Sequence, residues 1–157
     1  MIKRDISALE GFPYRLLIIS AVLALTLPVI YSTWEYYDRE STIQEVREEV
    51  GFIGQKAEQL FIRGENNIAV HEVNLDDGLL MNIHFVELGG QNKSWIKWRV
   101  GDYEEKYPVP RNISLVPVEG EEDPIQLTSG IHTLQMEAVL GRLEDGEKTL
   151  YIEVEKI

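Results

Sequence analysis

The chain has 157 residues, no cysteine, and 27 acidic against 15 basic side chains, for a formal net charge of −12. That length holds one modest domain with at most one appendage, and the missing cysteine excludes a disulfide framework and thiolate-based metal or redox chemistry. The acidic balance argues against a nucleic-acid partner, because phosphate neutralisation needs a basic patch.

The charge is unevenly spread. Residues 1–31 carry Lys3, Arg4 and Arg15 against Asp5 and Glu10, a sum of +1 that leaves −13 for residues 32–157. Between Arg15 and Glu35 lie 19 residues without a formal charge, and Leu16–Ile30 is almost continuously apolar. At about 1.5 Å per residue, such a helix reaches roughly 28 Å, close to the ~30 Å hydrocarbon thickness of a bilayer. Trp34, Tyr36 and Tyr37 sit where an aromatic belt belongs, and the preceding basic residues place the amino terminus in the cytoplasm and the acidic bulk outside the cell. A buried core helix is the bland rival, but such helices rarely hold so long an apolar run. A cleaved secretory signal is the other, yet Tyr31, Ser32, Thr33 and Trp34 offer no small-x-small site directly after the run. Pro28 lacks an N–H and predicts a kink near Thr26–Pro28, tolerable within a membrane.

Beyond this run the apolar pattern becomes periodic. Ile43, Val46, Val50, Ile53, Ala57 and Leu60 recur at spacings of three and four, the mark of an amphipathic helix. No breaker separates the two segments, so the reading is one long helix from about Gly11 to Ile62, stopped by Gly64. Gly51 and Gly54 each cost about 1 kcal/mol inside a helix, which close packing would explain. A coiled coil is the alternative, although only about three heptads are sustained.

From Asn67 onward the period is two. Met81, Ile83 and Phe85 are expected on one face with Asn82 and His84 opposite; Ile96, Trp98 and Val100 alternate with Trp95, Lys97 and Arg99. Leu134, Met136, Ala138 and Leu140, then Leu150, Ile152 and Val154, are expected to face inward. Asp76-Asp77-Gly78, Gly89-Gly90, Gly101-Asp102, Glu119-Gly120 and Glu144-Asp145-Gly146 supply the turns. About seven short strands of this kind read as an antiparallel β-sandwich or small barrel. The fold class is therefore α+β: one long amino-terminal helix, membrane-spanning in its first half and amphipathic in its second, followed by a β-sandwich domain.

The amino terminus carries a resemblance. Lys3-Arg4-Asp5, then Ile6-Ser7-Ala8-Leu9-Glu10-Gly11 and the apolar run, resemble the class III signal of archaeal type IV pilins, in which a basic dipeptide and one further residue precede a cut made before the hydrophobic helix. The resemblance implies cleavage between Asp5 and Ile6 by a prepilin peptidase, with Glu10 at the fifth mature position serving assembly. A long helix carrying a β domain is also the pilin plan. On this reading residues 1–5 are a leader, 6–33 the transmembrane or filament-core helix, 34–64 its amphipathic continuation, and 65–157 an extracellular β-sandwich-like domain.

Chemistry is sparse. His71, His84 and His132 fall in different expected strands without ligand spacing, and no phosphate loop, nucleophile elbow or EF-hand is present. The acidic runs Asp102-Tyr103-Glu104-Glu105 and Glu119–Asp123 read as solvated loops before calcium sites. No catalytic residue, metal site or cofactor is expected. Asn92-Lys93-Ser94 and Asn112-Ile113-Ser114 are glycosylation sequons beside turns. Trp95, Lys97 and Arg99 form a face for a subunit contact or, by preference, for packing of the helix.

The expected role is structural: a subunit, a minor pilin rather than a major one because Arg15 and Pro28 would disturb a repeating core, of an archaeal type IV pilus-like surface filament. Its partners are membrane lipid, like subunits or other pilins through the amino-terminal helix, and the peptidase. The alternative is a permanently anchored extracytoplasmic β domain that binds a surface-layer or motor component.

Overall fold

The computed structural model describes residues 7–89, 94–118, 124–142 and 148–157. Asp5, Ile6, Asn92, the acidic run 119–123 and the turn Glu144-Asp145-Gly146 lie outside these residues. A single helix, α1, runs over Ser7–Arg63, unbroken through Pro13 and Pro28. It extends a few residues beyond the expected start and ends where Gly64, at φ 89°, turns its N–H back to the Leu60 carbonyl at 3.1 Å. A left-handed residue at this position closes the last turn with little strain only when it is glycine.

The chain divides into two compact units, one ending at Tyr37 and one starting at Asp38. In the first, every residue from Pro13 to Tyr37 is exposed, most of them apolar. The hydroxyls of Ser20, Thr26, Ser32 and Thr33 donate to the carbonyls of Leu17, Val22, Val29 and Val29. These four hydroxyls are thus satisfied by the helix itself, an arrangement compatible with an apolar surrounding.

Among its described residues the second unit contains the rest of α1 and eight strands: β1 Ile68–Leu75, β2 Ile83–Leu88, β3 Trp95–Val100, β4 Tyr103–Pro108, β5 Leu115–Pro117, β6 Ile125–Leu127, β7 Gly130–Arg142 and β8 Lys148–Lys156. They form two four-stranded sheets, ordered β1-β7-β8-β5 and β4-β3-β2-β6. All pairings are antiparallel except β5 with β8. The inward faces of both sheets and the stripe Ile43, Val46, Val50, Ile53, Ala57 and Leu60 share one buried cluster with Trp98 and Met136 at full burial. The stripe therefore packs on the chain's own sheets, and the coiled-coil alternative falls away.

The helix lies along the edges of the sandwich. β1 ends one sheet and β4 ends the other; Glu49 approaches His71 on β1, while Arg47 pairs with Glu105 on β4 at 2.8 Å. One helix thus contacts an edge strand of each sheet. Gly54 permits the close approach, since a Cβ there would stand 2.7 Å from a Tyr107 ring carbon. Gly51 has nothing within 4 Å of such an atom, so packing does not explain that glycine.

Two expectations about strand faces need correction. Phe85 does not join Ile83 in the core, because the β2–β3 register shifts between Ile83 and Phe85 and sends Val86 and Leu88 inward instead. A bulge of one residue reverses every later side chain. Leu140, expected inside, is exposed beyond the end of the core, while its cross-strand partner Leu150 is only partly covered.

Candidate functional site

The described residues include one helix long and apolar enough to cross a membrane, and its apolar window is wholly unburied. Immediately after it stands a side chain the sequence did not single out. Asp38 is a buried acid on α1 whose carboxylate accepts the backbone N–H groups of Leu79 at 2.9 Å, Leu80 at 2.7 Å and Met81 at 3.1 Å. Leu80 contributes most to holding this carboxyl below its ordinary range; burial opposes, and Leu79 and Met81 add to the lowering. Thr42, also buried, donates its hydroxyl to the Asp38 carbonyl at 2.9 Å. Gly78 completes the fit, because a Cβ at that position would come within 2.5 Å of the Thr42 hydroxyl and 2.6 Å of Asp38 Oδ2. A three-donor cradle therefore fixes the β1–β2 loop to the first residue of the second unit.

Further along the helix, Arg47 donates to Glu105 at 2.8 Å and to the Tyr103 hydroxyl at 3.2 Å, and Tyr103 donates to the same Glu105 oxygen at 2.9 Å. The Glu105 bond raises Arg47 further above its already high range. Burial pushes the Glu105 carboxyl up, but the bonds from Arg47 and Tyr103 outweigh it and hold it low. On the opposite flank, Glu49 Oε2 and His71 Nε2 face each other at 3.9 Å, both buried and neither hydrogen-bonded among the described residues. Burial pushes the Glu49 carboxyl up and the His71 imidazole down, the latter helped by Lys56.

Trp95, Lys97 and Arg99 do share a face, and register shows which one. Ile96, Trp98 and Val100 stand opposite Tyr107, Glu105 and Tyr103, the β4 residues turned toward α1. Trp95, Lys97 and Arg99 stand opposite Pro108, Lys106 and Glu104 and face outward. The expectation that α1 packs on Trp95 is therefore overturned by strict alternation along β3. Outside, Lys106 lies over the Trp95 ring, Lys97 and Arg99 lie over Phe85, and both pair with Glu104.

The same alternation separates Glu104 from Glu105, so the run Asp102–Glu105 does not gather its oxygens. Among the described residues no group of three or more His, Asp or Glu is placed to hold a metal ion. His84 is exposed on β2, and His132 bonds the Thr128 carbonyl at 2.8 Å. Asn112 ends a short 3-10 turn, Pro110–Asn112, exposed and at φ 53°; its side chain is accessible at a sharp reversal. Glu10 falls within α1.

No protein-family model matches the chain, and neither a curated protein nor a solved structure matches it. The α+β class defined by one long amino-terminal helix and two four-stranded sheets rests on the structure itself.

Proposed function

We propose that this chain is a structural subunit, a minor pilin, of an archaeal type IV pilus-like surface filament, held in the cell membrane by its helix before assembly. The observation that carries the reading is the segment Pro13–Tyr37, apolar in composition and wholly exposed. Such a surface requires cover, either by lipid or by like helices. A filament subunit uses both in turn. The class III-like start at Lys3-Arg4-Asp5, with cleavage before Ile6, and the polar, sheet-packed second unit support the same role. The amino terminus would lie in the cytoplasm and the β domain outside, following the +1 and −13 division of charge. In the filament, Glu10 would be surrounded by Leu and Ile side chains and would need a cation; the new α-amino group of Ile6 on a neighbouring subunit supplies one. The role requires no catalytic group.

Amino-terminal sequencing of the protein from native membranes tests the reading. A mature start at Ile6 is expected. An intact Met1 would favour a permanently anchored β domain.

A further inference from the structure

The loop held by Asp38 presents an unusual surface. Leu79 is 79% exposed, more than any other large apolar side chain of the second unit among the described residues, and its neighbour Leu80 is 42% exposed. Single exposed leucines need no explanation. Here two adjacent ones are carried on a backbone whose three consecutive N–H groups, Leu79 to Met81, are all taken up by one buried carboxylate. Ile131, 67% exposed, stands opposite Asn74 at the same end of β1 and adds to the apolar character there. The fixed loop also has a bounded position along the chain. Trp34, the first residue of the aromatic belt, is four residues before Asp38, a separation of at most about 14 Å whatever the conformation between them. The Asp76 carboxylate accepts from the Asn74 side chain at 3.0 Å and that of Asp77 from the Ile83 N–H at 2.7 Å. Both acids are thus turned to the loop's own backbone and side chains.

We infer that Leu79 and Leu80 form a lipid-contacting tip, which enters the headgroup–acyl boundary of the bilayer crossed by α1 and sets the β domain's orientation on that surface. The inference rests on the membrane reading above. Two apolar side chains on a loop whose backbone Asp38 has already fixed meet a bilayer interface at low ordering cost. Loss of the tip leaves the span in place but frees the domain.

The absence of cysteine makes the test clean. Full-length chain with single substitutions Leu79→Cys, Leu80→Cys, Val22→Cys or Ile62→Cys is spin-labelled and reconstituted in phosphatidylcholine vesicles. Accessibility to oxygen and to a water-soluble nickel chelate is then read at each site. Ile62 is the aqueous reference: it is exposed and lies 24 residues beyond Asp38 on α1, roughly 36 Å along the helix. Labels at 79 and 80 should favour oxygen, as at Val22, with the reverse at Ile62. If Val22 reads apolar while 79 and 80 match Ile62, the inference is overturned and the membrane reading stands. If Val22 itself reads aqueous, the membrane reading fails and the inference with it.

Discussion

The Leu80 N–H meets Asp38 Oδ2 at 2.7 Å, joining residues 42 positions apart in the chain. It is the shortest of three bonds from one loop to one carboxylate, and it fixes the β1–β2 connection to the helix. Asp38→Asn should therefore lower the melting temperature, because an amide offers one acceptor oxygen where three donors converge. The folded carboxyl is held below its ordinary 3.8, so its contribution is present above that pH and disappears as the pH falls through the lower folded value. Thermal melts of both proteins should show a gap at pH 7 that narrows below about pH 4. A constant gap would assign the loss to packing alone.

Removing the helix should abolish the fold of the β domain. The stripe Ile43 to Leu60 supplies six of the buried side chains in the core cluster, and burial at about 1.5–3 kcal/mol for each large one gives on the order of 10 kcal/mol. That matches the whole stability of a typical domain, about 5–15 kcal/mol. A fragment of residues 38–157 should melt cooperatively by circular dichroism, whereas residues 66–157 should show no transition.

The two helix glycines should respond oppositely to alanine. At Gly51 a methyl group meets open space, so Gly51→Ala should stabilise by up to about 1 kcal/mol through helix propensity. At Gly54 it would press on Tyr107 and Pro110, and overpacking of about 1–3 kcal/mol should exceed that gain. Urea denaturation of the 38–157 fragment measures both. Tyr107→Ala should remove the penalty at Gly54.

His71 gives a pH signature. Its folded imidazole is held below the ordinary 6.5, so the unfolded chain binds the proton first and stability falls as pH drops from about 7 towards the folded value. Glu49, pushed up by burial, acts in the opposite sense, its contribution falling as pH rises through its folded value. The wild-type chain should therefore lose stability relative to His71→Gln between pH 7.5 and 5.5, a range above the ordinary range of the carboxylates Glu104 and Glu105. A difference independent of pH would show that the His71 imidazole titrates alike in the folded and the unfolded chain.

How much of this was legible in the sequence depended on whether a feature left a periodic trace. The helix stripe and the β3 alternation did, since burial on one face repeats every three to four residues in one case and every two in the other. The β2 bulge left none: Phe85 obeys the alternation until one extra residue reverses it. Strands β5 and β6, three residues each, are too short for a period. The Asp38 cradle was hidden for a different reason. Its donors are backbone N–H groups, which every residue except proline carries, so no residue type marks them.

Glu10→Gln should leave membrane insertion and β-domain folding intact while reducing incorporation into surface filaments, because the amide cannot pair with the Ile6 amino group of a neighbour. An unpaired charge in an apolar core costs several kcal/mol, so the pair rewards correct axial register. Quantitative immunoblots of membrane and filament fractions check it; unchanged incorporation would remove the pairing from the account.

The filament role is tested most directly by peptide mass spectrometry of filaments sheared from intact cells. The account predicts this chain in that fraction, with an amino-terminal peptide beginning at Ile6. Its absence there, with the full chain from Met1 retained in the membrane, would contradict it.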